Sequence, residues 1–261
     1  MPTGPGPGVA GAPPGPDPHL LAASAMVFVG DPAAPVLTED DLRHLIDVLR
    51  LRSGELVIAG DGAGSWAPCR VGAGVGPRGS RGMDPASALS VEGPVAFQPR
   101  PAPEITVAFA PAKGDRPEWV TQKLTEVGVD RIVPLRVARS VVRWEGERGR
   151  QAVARLHRVA RQAAAQCRRV WLPEVTEVTP LDRLAPVTGG YPQLAQPGGC
   201  RLSLVRPVVA VGPEGGWDAD ELDRFGPGVG LGPNVLRAET AAVAVGTLLC
   251  ALRSGAVGPL A

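Results

Sequence analysis

Two glycine-rich segments near the C-terminus carry the residue types best suited to holding a small ligand. The first, Gly212-Pro-Glu-Gly-Gly216, follows the apolar run Val208–Val211, a predicted strand, and precedes a short predicted helix at residues 219–225. In open α/β sheets ligands bind beyond the carboxyl ends of strands, where glycine lets backbone groups approach closely. A P-loop is excluded because no Gly-Lys-Ser/Thr follows. The segment predicts a ligand-binding loop, and a tight strand-to-helix turn is the alternative.

The second glycine-rich segment, Leu231-Gly-Pro-Asn-Val-Leu-Arg-Ala-Glu-Thr240, follows another short predicted strand. Arg237, Glu239 and Thr240 cluster where a long helix is predicted to begin. A glutamate in a first helical turn is favourable simply because of the helix dipole, so a well-capped helix is the alternative interpretation. Two glycine-rich strand ends so close in the chain could nevertheless form two walls of one pocket.

The basic residues are unevenly distributed. Of the 27 basic residues only two are lysines, Lys113 and Lys123, and both lie in one short segment. Residues 131–169 contain eleven arginines against only Glu145 and Glu147. Such an excess suits contacts to RNA phosphates, and a solvated helix face is the simpler alternative. The eleven are Arg131, Arg136, Arg139, Arg143, Arg148, Arg150, Arg155, Arg158, Arg161, Arg168 and Arg169.

Three other patterns do not indicate a site. Gly74-Val-Gly-Pro-Arg-Gly79 matches GxGxxG, but no predicted strand precedes it and no helix follows, so it lacks the context of a dinucleotide site. Gly60-Asp-Gly-Ala-Gly64 does follow a predicted strand, yet Pro68 stands where a helix would begin, and a hairpin turn explains the pattern better. The four cysteines are scattered without a CxxC pair, so no metal site is expected.

The composition is that of an ordinary globular protein. The chain has 261 residues, 44% of them hydrophobic and 20% charged, and a formal net charge of +1, which excludes a globally basic nucleic-acid coat but not a local basic face. The apolar run at residues 241–252 is too short to span a bilayer, and no Lys or Arg precedes the apolar stretch at residues 20–29. We therefore expect a reduced cytoplasmic protein without a signal peptide or a membrane segment.

The elements that must position these residues fall into two groups. In the first, predicted strands at residues 26–29, 55–59, 66–71 and 86–92, together with a helix at residues 38–49, indicate a small, mostly β barrel.

After a proline-rich joint at residues 99–103, strands and helices alternate, which indicates an α/β fold with a parallel sheet. Residues 181–206 should hold a further helix or strand that the pattern does not locate. The predicted strands are 105–110, 132–135, 208–211 and 229–231, with a further candidate at 141–144, and the predicted helices are 117–127, 150–169, 219–225 and 238–253.

Taken together, the motifs of this chain resemble the RsmE family of 16S rRNA (uracil-N3) methyltransferases, members of the SPOUT superfamily. The resemblance covers nearly the whole chain after residue 25, and the order and spacing of the motifs make the set specific. Its motifs are His44–Gly54 with residues 60–64, Lys113–Gly128 (KGDRPEWVTQKLTEVG), Arg139-Ser140, Gln162–Arg168 (QAAAQCR) and the two glycine-rich segments.

The many Gly and Pro residues at the N-terminus predict a disordered tail at residues 1–19. The resemblance implies a PUA-like RNA-binding β-barrel at residues 20–98 and a SPOUT methyltransferase domain at residues 101–261 whose parallel sheet contains a trefoil knot. It implies S-adenosylmethionine as the methyl donor, a homodimer, and methylation of N3 of a uridine (position 1498) in 16S rRNA of the 30S ribosomal subunit, with no metal and no membrane partner. Two alternatives stay open: a SPOUT methyltransferase acting on another RNA such as tRNA, and a non-catalytic RNA-binding protein.

The resemblance also assigns candidate site residues. Arg237 begins the helix beside the second glycine-rich segment and is expected to stabilise a uracil anion, while Glu239 and Glu214 are candidate bases. S-adenosylmethionine would be bound by Leu194, Gly212, Pro213, Glu214, Gly215, Gly216, Leu231, Gly232, Val235, Leu236 and Thr240. RNA would be bound by His44, Arg50, Lys113, Lys123, Arg139 and Arg168.

Overall fold

The structure, a computed structural model, describes residues 15, 17–73 and 83–258. The Gly74–Gly79 pattern and most of the expected tail lie outside these residues. The first group of elements, here called the N-terminal block, comprises α1 (Pro18–Ala22), β1 (Ala25–Phe28), α2 (Glu39–Arg43) with a π-helical continuation (His44–Val48), β2 (Leu56–Gly60), β3 (Ser65–Val71), β4 (Leu89–Val91) and β5 (Ala96–Phe97).

The N-terminal block is built on one mixed sheet. Strands β2, β3 and β4 are antiparallel, β5 pairs with β3, and β1 lies parallel to β2. The predicted hairpin turn at Gly60–Gly64 is confirmed, and Asp61 Oδ1 stabilises it by accepting hydrogen bonds from the amides of Ala63 at 2.6 Å and Ser65 at 3.0 Å. Helix α1 begins at Pro18, so the last two residues of the expected tail, Pro18 and His19, are helical.

The second group of elements, here called the C-terminal block, is a parallel sheet covered by helices on both faces, as the alternation predicted. The strand order is β10-β11-β6-β7-β8, with β9 also on β7, and every pairing is parallel. Helices α3, α4 and α7 pack on one face, and α5 and α6 on the other. The elements are β6 (Thr106–Phe109), α3 (Arg116–Val127), β7 (Arg131–Arg136), α4 (Gly146–Gln166), β8 (Glu174–Val175), β9 (Thr179–Pro180), α5 (Leu184–Thr188), β10 (Gln193–Cys200), β11 (Val208–Val211), α6 (Ala219–Phe225) and α7 (Ala238–Ser254).

Two of the predicted strands are wrong. Residues 141–144 alternate between exposed and half-buried, but they pair with no strand of the described chain. The strand predicted at 229–231 shrinks to isolated bridges, because Val229 meets Ala195 and Cys200, which are five residues apart in β10, and does not run alongside a continuous stretch of it. A Cβ atom at Gly228 would lie 2.2 Å from the Leu194 carbonyl oxygen, so only glycine fits there. The unassigned region 181–206 contains α5 and β10.

A buried carboxylate joins several element ends at the amino edge of the C-terminal sheet. Asp130, which precedes β7, has no exposed surface and accepts a hydrogen bond from the Ile105 amide at 2.9 Å. It forms ion pairs with Arg169, at 3.3 Å, and with Arg253. Burial lowers the pKa of Arg169, and the charge of Asp130 opposes that shift. The three side chains therefore stabilise one another in a place where each charge alone would be costly.

Backbone carbonyls satisfy the other donors of the two guanidinium groups. Arg169 donates to the carbonyl oxygens of Val129 at 2.6 Å and Thr125 at 3.1 Å. Arg253 donates to those of Pro103 at 3.0 Å and Gly128 at 2.8 Å. The network thus connects the ends of α3, α4 and α7 with the joint between the two blocks.

We expect Asp130→Ala to destabilise the protein strongly. Removal of one partner of a buried ion pair leaves uncompensated charge and typically costs about 3–5 kcal/mol in the free energy of unfolding. Urea unfolding followed by circular dichroism measures the loss. The control is Glu147→Ala, which removes an exposed carboxylate paired with Arg150 and should leave the unfolding midpoint almost unchanged. Equal midpoints for the two variants would contradict a stabilising role for Asp130.

Candidate functional site

A cavity of about 540 Å³ opens at the carboxyl ends of β10 and β11. Three segments line it: residues 195–197 of β10, the loop that follows β11, and residues 231–241, which lead into α7. Among the described residues that line it, only Glu214 and Arg237 are charged. The prediction that the two glycine-rich segments form two walls of one pocket is confirmed, and the volume lies within the range of small-molecule sites.

The indole of Trp217 connects two of these walls. Trp217 follows the first glycine-rich segment, is buried, and donates a hydrogen bond from Nε1 to the carbonyl oxygen of Ala195 at 2.9 Å. A Cβ atom at Gly212 would lie only 3.0 Å from the Trp217 ring, so any side chain at this position requires the ring to shift. Gly216 has a φ of +69°, a left-handed conformation that favours glycine and turns the chain toward Trp217.

Arg139 holds the first glycine-rich segment from outside the cavity. Its guanidinium donates to the carbonyl oxygen of Gly215 at 3.0 Å and contacts the Asp218 carboxylate at 3.2 Å. Asp218 and Glu221 form a capping box at the start of α6, and Glu221 also accepts a hydrogen bond from the Ala138 amide at 2.9 Å. The loop after β7 therefore supports the loop after β11.

Arg116 stands between two carboxylates at the other side of the cavity. It begins α3, and its guanidinium lies 3.2 Å from Glu214 and 3.8 Å from Glu239. Glu214 belongs to the first glycine-rich segment and Glu239 to the first turn of α7, so one side chain connects both walls. One carboxylate oxygen of Glu239 is buried without a hydrogen-bond partner among the described residues.

The second glycine-rich segment presents Arg237 to the cavity. Arg237 is the N-cap residue of α7, and its backbone is extended, with φ −66° and ψ 154°. Its exposed side chain lines the cavity and forms no ion pair or hydrogen bond with any other described side chain or carbonyl group. The guanidinium is therefore available to a bound substrate.

The structure brings most of the predicted cofactor residues together and leaves three of them, Leu194, Gly215 and Thr240, outside the lining. Of the two predicted catalytic residues, Arg237 lines the cavity and Glu239 does not. Leu194 is buried in the core, because the alternation along β10 turns its neighbour Ala195 toward the cavity instead. Glu239 faces Arg116, Gly215 lies against Arg139, and Thr240 is exposed on α7. The residues that do line the cavity as predicted are Gly212, Pro213, Glu214, Gly216, Leu231, Gly232, Val235, Leu236 and Arg237.

Sequence reasoning missed the third wall and the side chains that complete the other two. Trp217 could have been found, since a buried aromatic residue directly after a glycine loop is a common pocket wall. Residues 195–197 carried no such signal, because β10 was not located. The lining residues that were missed are Gln196, Pro197, Val211, Trp217, Leu222, Asn234, Ala238 and Ala241.

The six residues expected to bind RNA divide into two groups. His44, Arg50 and Lys113 are exposed and make no ion pair with a described residue. Arg50 lies two residues beyond the π-helical continuation and has a left-handed conformation, with φ +57°.

The other three are engaged within the chain. Lys123 is paired with Glu126 at 2.8 Å, and Arg139 is bound to the loop after β11. Arg168 donates a hydrogen bond to the carbonyl oxygen of Ala23 in the N-terminal block. These side chains have internal partners, and the expectation that they bind RNA is not supported by their placement.

A second cavity, of about 420 Å³, lies near the C-terminal end of α7 and offers no reactive group. It is lined in part by Pro101, Val127 and Cys250. Burial raises the pKa of Cys250 to about 11, so its thiol is protonated at neutral pH and is not nucleophilic. Within the described ranges we find no group of three His, Cys, Asp or Glu residues that could hold a metal ion, and no helix there is long and apolar enough to cross a membrane.

We expect Gly212→Val to weaken binding of S-adenosylmethionine, the ligand that the motifs predict, at least about tenfold, which corresponds to about 1.4 kcal/mol. The new side chain would displace the Trp217 ring and its hydrogen bond to Ala195. Calorimetry measures the affinity. Gly215→Val is the control in the same loop, because its Cβ atom would meet Arg139 at an ordinary distance of 3.7 Å. Unchanged affinity in a folded Gly212→Val variant would contradict this placement.

The chain matches two family models. A model described as RNA methyltransferase domain matches residues 98–250, and one described as RNA methyltransferase PUA domain matches residues 37–74. Among solved structures, the ribosomal RNA small subunit methyltransferase E from Neisseria gonorrhoeae bound to S-adenosyl methionine has a TM-score of 0.69 at 24% identity, covering 87% of this chain and 96% of that one. A probable rRNA-methyltransferase from Porphyromonas gingivalis has a TM-score of 0.71 at 23% identity, covering 89% and 100%. Both show that the fold is shared.

Curated relatives match over most of their length. The ribosomal RNA small subunit methyltransferase E of Mycobacterium bovis is 33% identical over an alignment of 259 residues. The alignment covers 90% of this chain and 92% of the relative. That of Bacillus subtilis is 28% identical over 227 residues, 78% of this chain and 85% of the relative. With a methyltransferase model over more than half of the chain and these relatives, the protein belongs to the family of the ribosomal RNA small subunit methyltransferase E.

Proposed function

We propose that this protein transfers a methyl group from S-adenosylmethionine to N3 of a uridine, position 1498, in 16S rRNA of the 30S ribosomal subunit. The observation that carries the proposal is the cavity at the carboxyl edge of the parallel sheet, with two glycine-rich walls and the unpaired Arg237 in its lining. Membership of the family supports S-adenosylmethionine-dependent methylation of small-subunit rRNA. The uridine and its N3 atom rest on the resemblance of the motifs. In this role the protein acts in the cytoplasm, where its substrate resides.

The cavity fits S-adenosylmethionine in size and in chemistry. Its largely apolar walls suit an adenine ring, and the backbone at Gly212 and Gly232 lets a ligand approach closely. Glu214 brings a negative charge into the lining, which suits a ligand that carries a sulfonium and an ammonium group. When bound, the cofactor supplies an activated methyl group, and the transfer leaves S-adenosylhomocysteine and one proton.

Arg237 lowers the free energy of the reacting uracil anion. N3 of uracil is a poor nucleophile until its proton leaves, so the site must stabilise the negative charge that develops on the ring. A guanidinium is a poor base and a good donor, and that of Arg237 lines the cavity without another partner in the described chain. The N3 proton passes to solvent, because Arg116 engages the carboxylates of Glu214 and Glu239.

Exposed cationic side chains on both blocks bind the RNA backbone. The N-terminal block offers His44 and Arg50, and the C-terminal block offers Lys113 in the loop between β6 and α3. Phosphate contacts of this kind release counterions, so binding weakens steeply as the salt concentration rises. Four of the eleven arginines at residues 131–169 are exposed without an internal partner among the described residues, and they extend the basic surface: Arg136, Arg143, Arg148 and Arg158.

A homodimer through the exposed face of α7 completes the proposal. The small residues Ala241–Gly246 had suggested a dimer contact, but Ala242 and Gly246 pack inside the chain, where a Cβ atom at Gly246 would lie 2.7 Å from Leu124. The outward face of α7 carries Leu248, which is 41% exposed, and α3 carries Trp119, which is 44% exposed. Apolar side chains on two helices that pack together suit an interface between two copies.

We expect wild type to be a dimer in light scattering and Leu248→Arg to be a monomer, because the substitution places a charge in the apolar contact. Val205→Arg is the control, since Val205 is 89% exposed and belongs to neither α3 nor α7, so its replacement should leave the dimer intact. A monomer mass for the wild type at working concentrations would refute the dimer.

We expect Arg237→Ala to fold, bind S-adenosylmethionine and bind 30S subunits, yet to turn over about 10²–10³-fold more slowly, the usual cost of one preorganised donor. A higher pH should partly rescue this variant, since more uracil is then already deprotonated, and Arg237→Lys should recover part of the rate. Arg206→Ala, which removes an exposed arginine from the same block, is the control and should keep the wild-type rate.

Single-turnover rates across pH, measured beside cofactor affinity, decide the role of Arg237. A parallel fall of rate and cofactor affinity, without rescue at high pH, would mean that Arg237 only holds the loop. The function itself is tested by methylation of 30S subunits from a strain that lacks the protein, with mass mapping of the product. A modified base other than the N3-methylated uridine, or methylation of tRNA instead, would overturn the proposed substrate.

A further inference from the structure

Trp171, which follows α4, lies at the contact between the two blocks and packs against the small core that they share. On one side it meets the hairpin turn at Gly60–Gly64, and on the other it meets residues 97–100, which lead into the joint. Its Nε1 donates to the carbonyl oxygen of Gln98 at 2.8 Å. The Phe97 ring lies edge-on at 6.3 Å between centroids, and the guanidinium of Arg100 lies 5.4 Å from the Trp171 ring centroid.

The glycines of the hairpin turn are shaped for this contact. A Cβ atom at Gly64 would lie 2.7 Å from the Trp171 ring, and one at Gly62 would lie 2.7 Å from Leu172. Both glycines have positive φ, +99° and +76°. Backbone hydrogen bonds run across the contact from the Gly64 amide to Val170 at 3.3 Å and from the Leu172 amide to Gly62 at 2.9 Å. The hairpin turn at Gly60–Gly64 is therefore also the surface on which residues 170–172 of the C-terminal block pack.

A second contact lies along α4. Arg161 donates to the carbonyl oxygen of Phe28 at 2.7 Å, and its guanidinium lies 5.1 Å from the Phe28 ring centroid. Arg168 donates to the carbonyl oxygen of Ala23. A small shared core of side chains from both blocks lies between the two contacts, with Met26 and Ile58 from one side and Val170 from the other.

The main cores of the two blocks do not include Trp171. The core of the N-terminal block is formed by β1–β3 with α2 and its continuation, and the cores of the C-terminal block lie on the two faces of its own sheet. Loss of the Trp171 ring therefore loosens the orientation of the blocks while each keeps its own packing. Because the cores of the blocks are separate from the contact at Trp171, a role of this residue in orienting the blocks can be distinguished from a role in folding.

We propose that Trp171 is a positioning residue that holds the N-terminal block in one orientation to the cavity, so that a single RNA is bound by both blocks at once. The inference rests on the proposed function, in which cationic side chains of both blocks bind the same RNA. Once one block has bound the RNA, binding by the other block is intramolecular. The effective concentration of the second binding surface then depends on a fixed distance and angle to the first surface. A loose contact at Trp171 lowers that effective concentration without altering either binding surface.

The experiment compares Trp171→Ala with the wild type by hydrogen exchange, by affinity for 30S subunits and by affinity for S-adenosylmethionine. We expect the Gly64 and Leu172 amides to exchange faster in the variant while amides of β7 and β11 keep their protection. Affinity for 30S subunits and kcat/KM on them should each fall about tenfold, whereas cofactor affinity stays within about twofold.

Conservative and control variants make the test specific. Trp171→Phe keeps an aromatic ring against Gly64 and loses only the hydrogen bond to Gln98, so it should recover most of the 30S affinity. Tyr191→Ala removes an aromatic side chain that is 57% exposed elsewhere in the C-terminal block, and it should match wild type in every measurement. If Trp171→Ala does not fold, Arg161→Ala breaks the second contact and must lower 30S affinity in the same direction.

Two results would overturn the proposal. One is unchanged 30S affinity in a variant whose Gly64 amide exchanges faster, which would show that the orientation of the blocks does not matter for RNA binding. The other is an equal fall in cofactor affinity and 30S affinity, which would show general damage. A wild-type protein that binds 30S subunits without methylating them would refute the proposed function, and the comparison of affinities would still decide the role of Trp171.

Discussion

The buried carboxylate of Asp130 anchors the two parts of the molecule on which the proposed reaction depends. One is the cavity, and the other is the contact between the two blocks. Its ion pair with Arg253 holds the C-terminal end of α7, and 15 residues earlier the same helix begins at Ala238, beside Arg237 in the cavity. At about 1.5 Å per residue, that helix transmits the position of a rigid anchor over about 22 Å. Its ion pair with Arg169 holds the segment that follows α4, and Trp171, two residues further on, carries the N-terminal block. One desolvated charge cluster thus fixes the cavity and the contact between the blocks relative to the same sheet edge.

Arginine excess alone could not reveal how the arginines are used. The sequence showed the excess at residues 131–169, and phosphate binding was a sound inference from charge alone. The structure gives seven of the eleven an internal partner, because a guanidinium can bridge a carboxylate and several carbonyl oxygens at once. Two of those partners, Ala23 for Arg168 and Phe28 for Arg161, are more than 100 residues away in the chain. Local sequence contains no sign of such distant carbonyl groups, so only the fold separates structural arginines from those that can meet RNA.

The parallel sheet and two of the three cavity walls could be predicted, because strand period and glycine-rich strand ends are local signals. β11 and α6 have the predicted limits. The third wall could not be predicted, because β10 contains Pro197 and two glycines, and its sequence is not typical of a strand. It passes close to Gly228 and Gly230, and this crossing depends on a contact between segments about 30 residues apart. The trefoil knot that the resemblance implies concerns the same region and stays a prediction, since the path of a chain through itself leaves no periodic pattern in its sequence.

The ion pairs around the cavity differ in kind from those of the Asp130 cluster, and the difference suits a site that must admit a ligand. Arg116 and Arg139, which hold the loop after β11, are about half exposed, and so is Glu214. Pairs of this type contribute about 0–1 kcal/mol each, so they orient the loop and still let it adjust. The Asp130 cluster is desolvated, and breaking it would expose uncompensated charge in the interior. Rigidity is therefore concentrated at the amino edge of the sheet, and adjustable contacts at the carboxyl edge, where the backbone of the loops has to close around the cofactor.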